Sequence, residues 1–240
     1  MHYRKTLLTI CLACFIFSCN EDLKTTFSDT KITTLNNKLV EVNIPKAIGN
    51  NLVANQINAE ISKLIMTVLQ IGEQDSIASK TVEESISLFN DEYNAFNIDF
   101  PNVLHTWEAQ IDGEVMSQSP EIISIAITSY VNTGGAHGNT NISFLNFDAG
   151  TGKRIQNSDL IKNKDAFRTI AESYFKDAIK EDDVLFEPDT FQLPANIGFN
   201  EEGVILLYNT YEIAPYSTGI IDFTIPIEKV SDYLAFNGSE

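Results

Sequence analysis

The chain has 240 residues, with 33 acidic and 16 basic side chains and a formal net charge of −17. Because this charge repels phosphate groups, the composition argues against nucleic acid and against anionic lipid headgroups as partners. A hydrophobic content of 43% is ordinary for a globular protein, and the length allows one large or two small packed units.

The amino terminus has the pattern of a secretory signal peptide over residues 1–18. Two basic residues precede an apolar run over 7–17, which is too short to span a bilayer as a stable helix. The last residues, Phe-Ile-Phe-Ser-Cys over 15–19, resemble a bacterial lipobox. That resemblance implies cleavage before Cys19 and a diacylglyceryl lipid on its sulfur. An ordinary cleaved signal, with Cys19 present by chance, is the alternative.

A lipid on Cys19 places the protein in the bacterial cell envelope, anchored to a membrane and facing the periplasm or the cell surface. Cleavage removes two basic residues and leaves 14 basic against 33 acidic, a net charge of −19. All three cysteines lie in the first nineteen residues, so the mature body has no internal disulfide and depends on a packed core. Residues 19–35 are polar and without a sustained period, and we predict a lipidated flexible tether there.

The first half of the body predicts two strands and two helices. Alternating apolar residues indicate a strand over 38–44, which Pro45 is expected to stop. Apolar residues at helical spacing predict a helix over 53–68 and another over 81–96. A strand over 103–111 should then lead into a tight turn at Asp112-Gly113.

The second half predicts mostly β-structure around one clear helix. The strand over 121–131 is apolar on both faces, which is typical of a central strand, and 141–148 should return beside it. The helix over 167–179 is followed by a hairpin over 197–208 and a strand over 220–225, and Pro226 starts a short helix. The fold class is therefore α+β, with mostly antiparallel sheets and packed helices. We place two small subdomains at 36–118 and 119–240.

Familiar catalytic and metal-binding signatures are missing from the sequence. No Gly-x-Ser-x-Gly motif occurs, which argues against an α/β-hydrolase serine. The mature chain has two histidines, His105 and His137, and no thiol besides Cys19, whereas a structural zinc site needs four ligands of these types. We therefore predict no metal and no cofactor.

The first candidate ligand-binding segment is 130–139. Its candidate residues are Tyr130, Gly134, Gly135, His137 and Asn139. Glycines permit positive φ and expose backbone N–H groups that can hold an anion or a sugar hydroxyl, and a histidine beside them can act as donor or general base. Alternatively, the glycines serve only the geometry of a wide β-connection and His137 is a surface residue.

The second candidate segment is 211–219, with Tyr211, Glu212 and Tyr216 as its candidate residues. Two tyrosines and a carboxylate on a proline-containing loop can stack on a sugar ring and accept its hydroxyl groups. Alternatively, both tyrosines close the edge of the core in an ordered loop.

These segments carry a family resemblance. The Gly-Gly-Ala-His run over 134–137, the Phe-Asp-x-x-Thr-Gly-Lys run over 147–153 and the Tyr-Glu-Ile-Ala-Pro-Tyr run over 211–216 resemble the PdaC/RsiV-like domain pair of unknown function. The resemblance covers about 38–236. Members of this family are lipoproteins, ectodomains of anti-sigma factors that sense lysozyme, and partners of peptidoglycan deacetylase domains. It implies recognition at the cell envelope rather than a shared catalytic activity.

The sequence thus favours a non-catalytic module that binds a basic protein such as lysozyme, or a cell-wall glycan. If a ligand groove exists, loops 134–138 and 211–219 should border it together. One alternative is a glycan hydrolase or deacetylase that uses His137 with Glu212 or Asp148, since glycosidases need two carboxylates across one groove. Another is a structural envelope-assembly lipoprotein without a small ligand.

Overall fold

The computed structural model describes residues 25–72, 76–102, 106–180 and 183–236, which form two sheets with helices packed on them. The first sheet has the order β1 (Thr25–Ile32), β2 (Val40–Gly49), β3 (Glu108–Gln118), β4 (Ile122–Asn132), β5 (Asn139–Asp148) and β6 (Arg154–Ile155). The second has the order β7 (Asn196–Phe199), β8 (Gly203–Tyr208) and β9 (Ile221–Pro226). The helices are α1 (Asn51–Leu69), α2 (Val82–Asp99), α3 (Asn157–Leu160), α4 (Lys164–Ala178) and α5 (Ile227–Val230).

The predicted α+β class with mostly antiparallel sheets is confirmed. Among the strand pairs of the described residues, β2 and β3 alone run parallel. Helices α1 and α2 provide the crossover between these two strands, which a parallel pair requires.

Both long helices of the first half form where the sequence predicts them. Asn50 caps α1 by accepting from the Leu52 N–H at 3.0 Å, and Thr81 caps α2 by accepting from the Glu84 N–H at 3.1 Å. The apolar stripe of α1 is fully buried, at Ile57, Ile61 and Ile65. It packs with α2 and the first sheet in one hydrophobic core.

The second sheet has a core of its own beneath α4. Asn163 caps α4 by accepting from the Ala166 N–H, and the helix ends at Ala178, one residue before the predicted end. Phe167, Ala171 and Phe175 point into a core that also contains Tyr208 of β8.

Side chains of the first sheet hold β7 of the second. The Ser124 hydroxyl of β4 accepts from the Phe199 N–H at 3.0 Å, and the Asn146 amide of β5 donates to the Ile197 carbonyl at 2.7 Å. A third hydrophobic cluster, which includes Phe144 and Ile205, fills the space between the sheets. Both sheets and all three clusters lie within residues 25–236.

The predicted division between 118 and 119 falls inside the β3–β4 hairpin, because β4 pairs with β3 along nearly its whole length. The first sheet continues to Ile155. Apart from Ile122 of β4, the buried residues of the second core begin at Leu160. Strand pairing is a long-range property that the periodicity of one segment does not reveal.

The predicted tether over 19–35 contains a strand. Residues Thr25–Ile32 form β1, which pairs antiparallel with β2, and Phe27 and Ile32 pack against the first core. Only one residue of this edge strand is buried, so a mostly polar sequence with the composition of a tether can form it. Residues 19–24, including Cys19, lie outside the described part of the chain.

The predictions for Pro45 and Gly113 are also wrong. Pro45 lies within β2. The pairing of β2 with β3 ends at Asn43, so the missing N–H of Pro45 removes no hydrogen bond from that pairing. Gly113 lies within β3 and forms no turn. A Cβ on Gly113 would lie 2.5 Å from Pro45 Cδ, so the glycine makes room for the proline ring.

No helix within the described residues is both long and apolar enough to cross a membrane.

Candidate functional site

The two candidate loops meet at the surface. The imidazole of His137 stacks on the ring of Tyr216, with centroids 3.8 Å apart, and Tyr211 lies beside Tyr216 at 5.8 Å between centroids. We call His137, Tyr211 and Tyr216 the tyrosine–histidine cluster. All three side chains are exposed, so the cluster presents aromatic rings to solvent rather than closing the edge of the core.

The backbone carbonyl of Gly138 forms hydrogen bonds with two members of the cluster. It accepts from His137 Nδ1 at 2.9 Å and from the Tyr216 hydroxyl at 3.2 Å. Since a carbonyl can only accept, His137 Nδ1 is the donor to it, and His137 Nε2 lies 3.5 Å from the Tyr211 hydroxyl. A Cβ at Gly138 would overlap the ring of Tyr130, so any other residue there would force that ring to move.

Asn209 and Thr210 fix the second loop against β5. The Asn209 amide both donates to and accepts from the backbone of Ile142, at 2.8 Å each, as a neighbouring strand would. The Thr210 hydroxyl donates to the Asn139 side chain at 3.0 Å. The aromatic rings therefore stand on a loop that is hydrogen-bonded to the first sheet.

Tyr211 has a strained backbone. Its φ of +68° is the one positive φ of a non-glycine residue in the described part of the chain. A bulky residue rarely adopts this region, which costs about 1–2 kcal/mol. The side chain is 55% exposed, so burial of the ring does not repay that cost.

Glu212 organises the backbone instead of joining His137. One carboxylate oxygen accepts from the Ala195 N–H at 2.7 Å and the other from the Asn209 N–H at 3.0 Å. Glu212 also lines a separate cavity of about 200 Å³ with Phe175 and Tyr208. Burial, with the Glu212 charge as a second cause, raises the pKa of Tyr208 above its ordinary value.

Asp148 lies far from His137, and a catalytic pair of the two is excluded. It stands at the far end of β5 from Asn139, about 30 Å along the strand. Its carboxylate accepts from the Thr151 N–H and hydroxyl and so stabilises the turn to β6.

The glycines before His137 do not form an anion cradle. Gly134 has φ +86°, and its N–H already donates to the Asn132 side chain at 3.0 Å. Gly135 has no atom of another residue nearer than 3.7 Å to the position of a Cβ. These glycines serve the turn, which matches the geometric interpretation of the sequence.

Sequence reasoning missed Gly138, Asn209 and Thr210 as members of the site. Gly138 was visible as the third glycine of its loop, but its close contact with Tyr130 was not. Asn209 and Thr210 gave no signal, because their partners lie about seventy positions away in the chain.

The described residues contain no group of three or more His, Cys, Asp or Glu side chains placed to hold a metal ion. His105 lies outside the part of the chain that the structure describes.

Family models match both parts of the fold. Residues 28–140 match the model described as "Deacetylase PdaC", and residues 158–228 match "Protein of unknown function (DUF3298)". The chain contains a PdaC domain followed by a DUF3298 domain. The predicted family resemblance is thereby confirmed. His137 belongs to the PdaC domain and Tyr211 and Tyr216 to the DUF3298 domain, so the cluster spans the two.

Solved structures of DUF3298 family proteins have the same fold. One from Pseudomonas aeruginosa PAO1 is 19% identical, with a TM-score of 0.57 over 90% of this chain and 98% of that one. One from Bacteroides fragilis NCTC 9343 is 19% identical, with a TM-score of 0.60 over 89% of this chain and 94% of that one. A comparison with curated proteins finds no match.

Proposed function

We propose that this PdaC–DUF3298 protein is a lipid-anchored module of the bacterial cell envelope that binds a cell-wall glycan at the tyrosine–histidine cluster without catalysing a reaction. The observation that carries the proposal is Tyr211, whose ring is exposed on a strained backbone. Strain of this kind persists at binding sites, where the conformation presents a side chain to a ligand.

The position and shape of the cluster support glycan binding. Ligand sites are common at domain interfaces, and this cluster lies where the PdaC and DUF3298 domains meet. Rings of Tyr211 and Tyr216 can stack on the apolar face of a sugar, while their hydroxyls and His137 bond its hydroxyl groups. The hydrogen bonds of Gly138 and Asn209 preorganise these rings and so lower the entropic cost of binding.

The positions of the carboxylates argue against glycan hydrolysis. Both oxygens of Glu212 are engaged by backbone N–H groups, and Asp148 lies at the other end of β5. A glycosidase needs two carboxylates that flank one bond, and these two residues do not supply them at His137.

A basic protein such as lysozyme is a second candidate ligand, which the net charge of −17 favours. Attraction between opposite charges weakens with salt, whereas stacking of a neutral sugar on tyrosine does not. The salt dependence of affinity therefore distinguishes the two candidates.

Titration calorimetry of residues 24–240 with purified muropeptides tests the proposal. We expect saturable binding that Tyr211→Ala and Tyr216→Ala each weaken by about tenfold, because each removes a stacking ring worth about 1.4 kcal/mol. Phe100→Ala is the matched control, since this ring is 54% exposed and also lies beside another aromatic ring, that of Phe96. Binding that both tyrosine variants retain would refute the assignment of the site.

The lipid anchor is tested separately on the full chain. Mass spectrometry should find an acylated amino terminus at Cys19, and Cys19→Ser should move the protein out of the membrane fraction. An unmodified amino terminus, or a membrane fraction that keeps the variant, would contradict the anchor without affecting the glycan site.

A further inference from the structure

The chain enters the first sheet at one end of its strands. Thr25, the first residue of β1, pairs with Gly49 at the end of β2, and its carbonyl accepts from the Gln118 side chain at the end of β3, at 2.7 Å. Gln118 in turn pairs with Ile123 near the start of β4, and the β4–β5 pairing brings the end of β5 to the same level. We call this side of the sheet the Thr25 end. Three segments lie along it: 49–52, 119–121 and 149–153.

The tyrosine–histidine cluster lies at the opposite end of the strands. His137 belongs to the connection between β4 and β5, beside the pairing of Val131 with Asn139. Because β4 has 11 residues, this connection lies about 30 Å from the Thr25 end along the strand. The point of chain entry and the cluster are therefore on opposite sides of the first sheet.

Cys19 is close in the chain to the Thr25 end. Only residues 20–24 lie between Cys19 and Thr25, and a chain of this length spans at most about 20 Å. The predicted tether over 19–35 would have allowed about 55 Å, but β1 takes up its second half. The lipid proposed for Cys19 would thus keep this end of the body within about 20 Å of its anchoring point.

Two large apolar side chains are exposed at the Thr25 end. Ile48, near the end of β2, is 48% exposed, and Leu52, in the first turn of α1, is 67% exposed. They are four positions apart, so their Cα atoms are separated by at most about 14 Å. Such side chains are stabilised at the boundary between headgroups and acyl chains of a membrane, where their apolar surface leaves water.

The charge of the Thr25 end also permits contact with a membrane. Its three segments contain one acidic residue, Glu121, and one basic residue, Lys153, so their formal charges sum to zero. The whole chain, in contrast, has a net charge of −17. This end therefore offers an apolar contact without a local excess of negative charge, which fits a surface of neutral headgroups.

We propose that the Thr25 end is a membrane-contact surface, at which Ile48 and Leu52 enter the headgroup region of the bilayer that holds the Cys19 lipid. The proposal rests on the lipid anchor of the proposed function. Because the anchor already keeps this end near the bilayer, a weak apolar contact is sufficient to orient the body. The contact directs the tyrosine–histidine cluster away from the membrane, toward the surrounding wall.

Fluorescence quenching on the acylated full chain tests the orientation. Leu52→Cys and Leu35→Cys each place one dye on the body, which has no other cysteine after Cys19. Leu35 is the matched control, because it is an exposed leucine in the β1–β2 connection at the opposite end. In phosphatidylcholine vesicles with nitroxide-labelled lipid, quenching should be at least about threefold stronger for the dye at Leu52, which lies at the headgroup boundary.

A second experiment removes the apolar contact and keeps the dye elsewhere. Gly150→Cys places the dye at the Thr25 end, where the nearest atom lies 3.5 Å from the Cβ position. I48S/L52S should lower the ratio of membrane-bound to free orientations by about tenfold, and quenching at this dye should fall accordingly. L35S should leave the quenching unchanged. Circular dichroism checks that all variants fold.

Equal quenching of the dyes at Leu52 and Leu35, or undiminished quenching in I48S/L52S, would overturn the inference and leave the anchor intact. An unmodified Cys19 would overturn both. A dimer of residues 24–240 that I48S/L52S abolishes in sedimentation, without quenching at Leu52, would assign this surface to a second copy and refute membrane contact. Muropeptide binding by I48S/L52S should equal that of the parent protein, so the glycan site is tested independently.

Discussion

His137 and Tyr216 stack face to face, with ring centroids 3.8 Å apart and planes inclined by 20°. One residue comes from each domain, so this contact joins the PdaC and DUF3298 domains at the surface. A double-mutant cycle with His137→Ala and Tyr216→Ala should give a coupling free energy of about 0.5–1.5 kcal/mol in urea unfolding. Additive losses would mean that the rings are neighbours without a stabilising contact.

Gly138→Ala should destabilise the protein by about 1–3 kcal/mol, because the added Cβ overlaps the ring of Tyr130 and forces that ring to move. Gly135→Ala is the matched control within the same loop, where the nearest atom lies 3.7 Å from the Cβ position. Thermal and urea unfolding should leave that control within about 0.5 kcal/mol of the parent protein. Equal effects of the two substitutions would contradict the close contact.

The backbone strain at Tyr211 is measured by comparing two substitutions that both remove the ring. Tyr211→Gly should leave the protein about 1 kcal/mol more stable than Tyr211→Ala, because alanine keeps a Cβ at φ +68° and glycine does not. Urea unfolding of both variants gives the difference. A glycine variant that is less stable than the alanine variant would show that no strain is stored.

Ser124→Ala should lower the free energy of unfolding by about 1–3 kcal/mol, since it leaves the buried Phe199 N–H without its acceptor. Ser87→Ala removes an exposed hydroxyl from α2 and should change stability by less than about 0.5 kcal/mol. If urea unfolding gives the same stability for both variants, the Ser124 bond does not hold β7 in place.

Stability should fall at alkaline pH through Tyr208. Burial raises the pKa of its hydroxyl in the folded state, and that hydroxyl donates to the Gln192 carbonyl at 2.6 Å. Above the unfolded-state pKa of about 10 the unfolded chain binds fewer protons than the folded one, so the free energy of unfolding decreases as pH rises. Below about pH 10 the contribution is fully present.

Tyr208→Phe should flatten this alkaline dependence, at a loss of about 1 kcal/mol near neutral pH for the missing hydrogen bond. Urea unfolding between neutral and alkaline pH, for both proteins, is the measurement. An identical slope for the two would assign the alkaline loss to other groups.

Local chemistry was sufficient to predict the main helices. The apolar stripe of α1 depends on neighbours within one or two turns, so the sequence states it directly. The juxtaposition of the two aromatic loops was predicted too, although from family resemblance rather than from spacing.

The sequence by itself determined the acidic composition and the α+β class, and its candidate residues included His137, Tyr211 and Tyr216. Only the tertiary structure decided that the polar segment Thr25–Ile32 is a strand and that Gly113 makes room for Pro45. It likewise turned Glu212 toward two backbone N–H groups. Each of these depends on partners distant in the chain, and sequence periodicity reports only on neighbours.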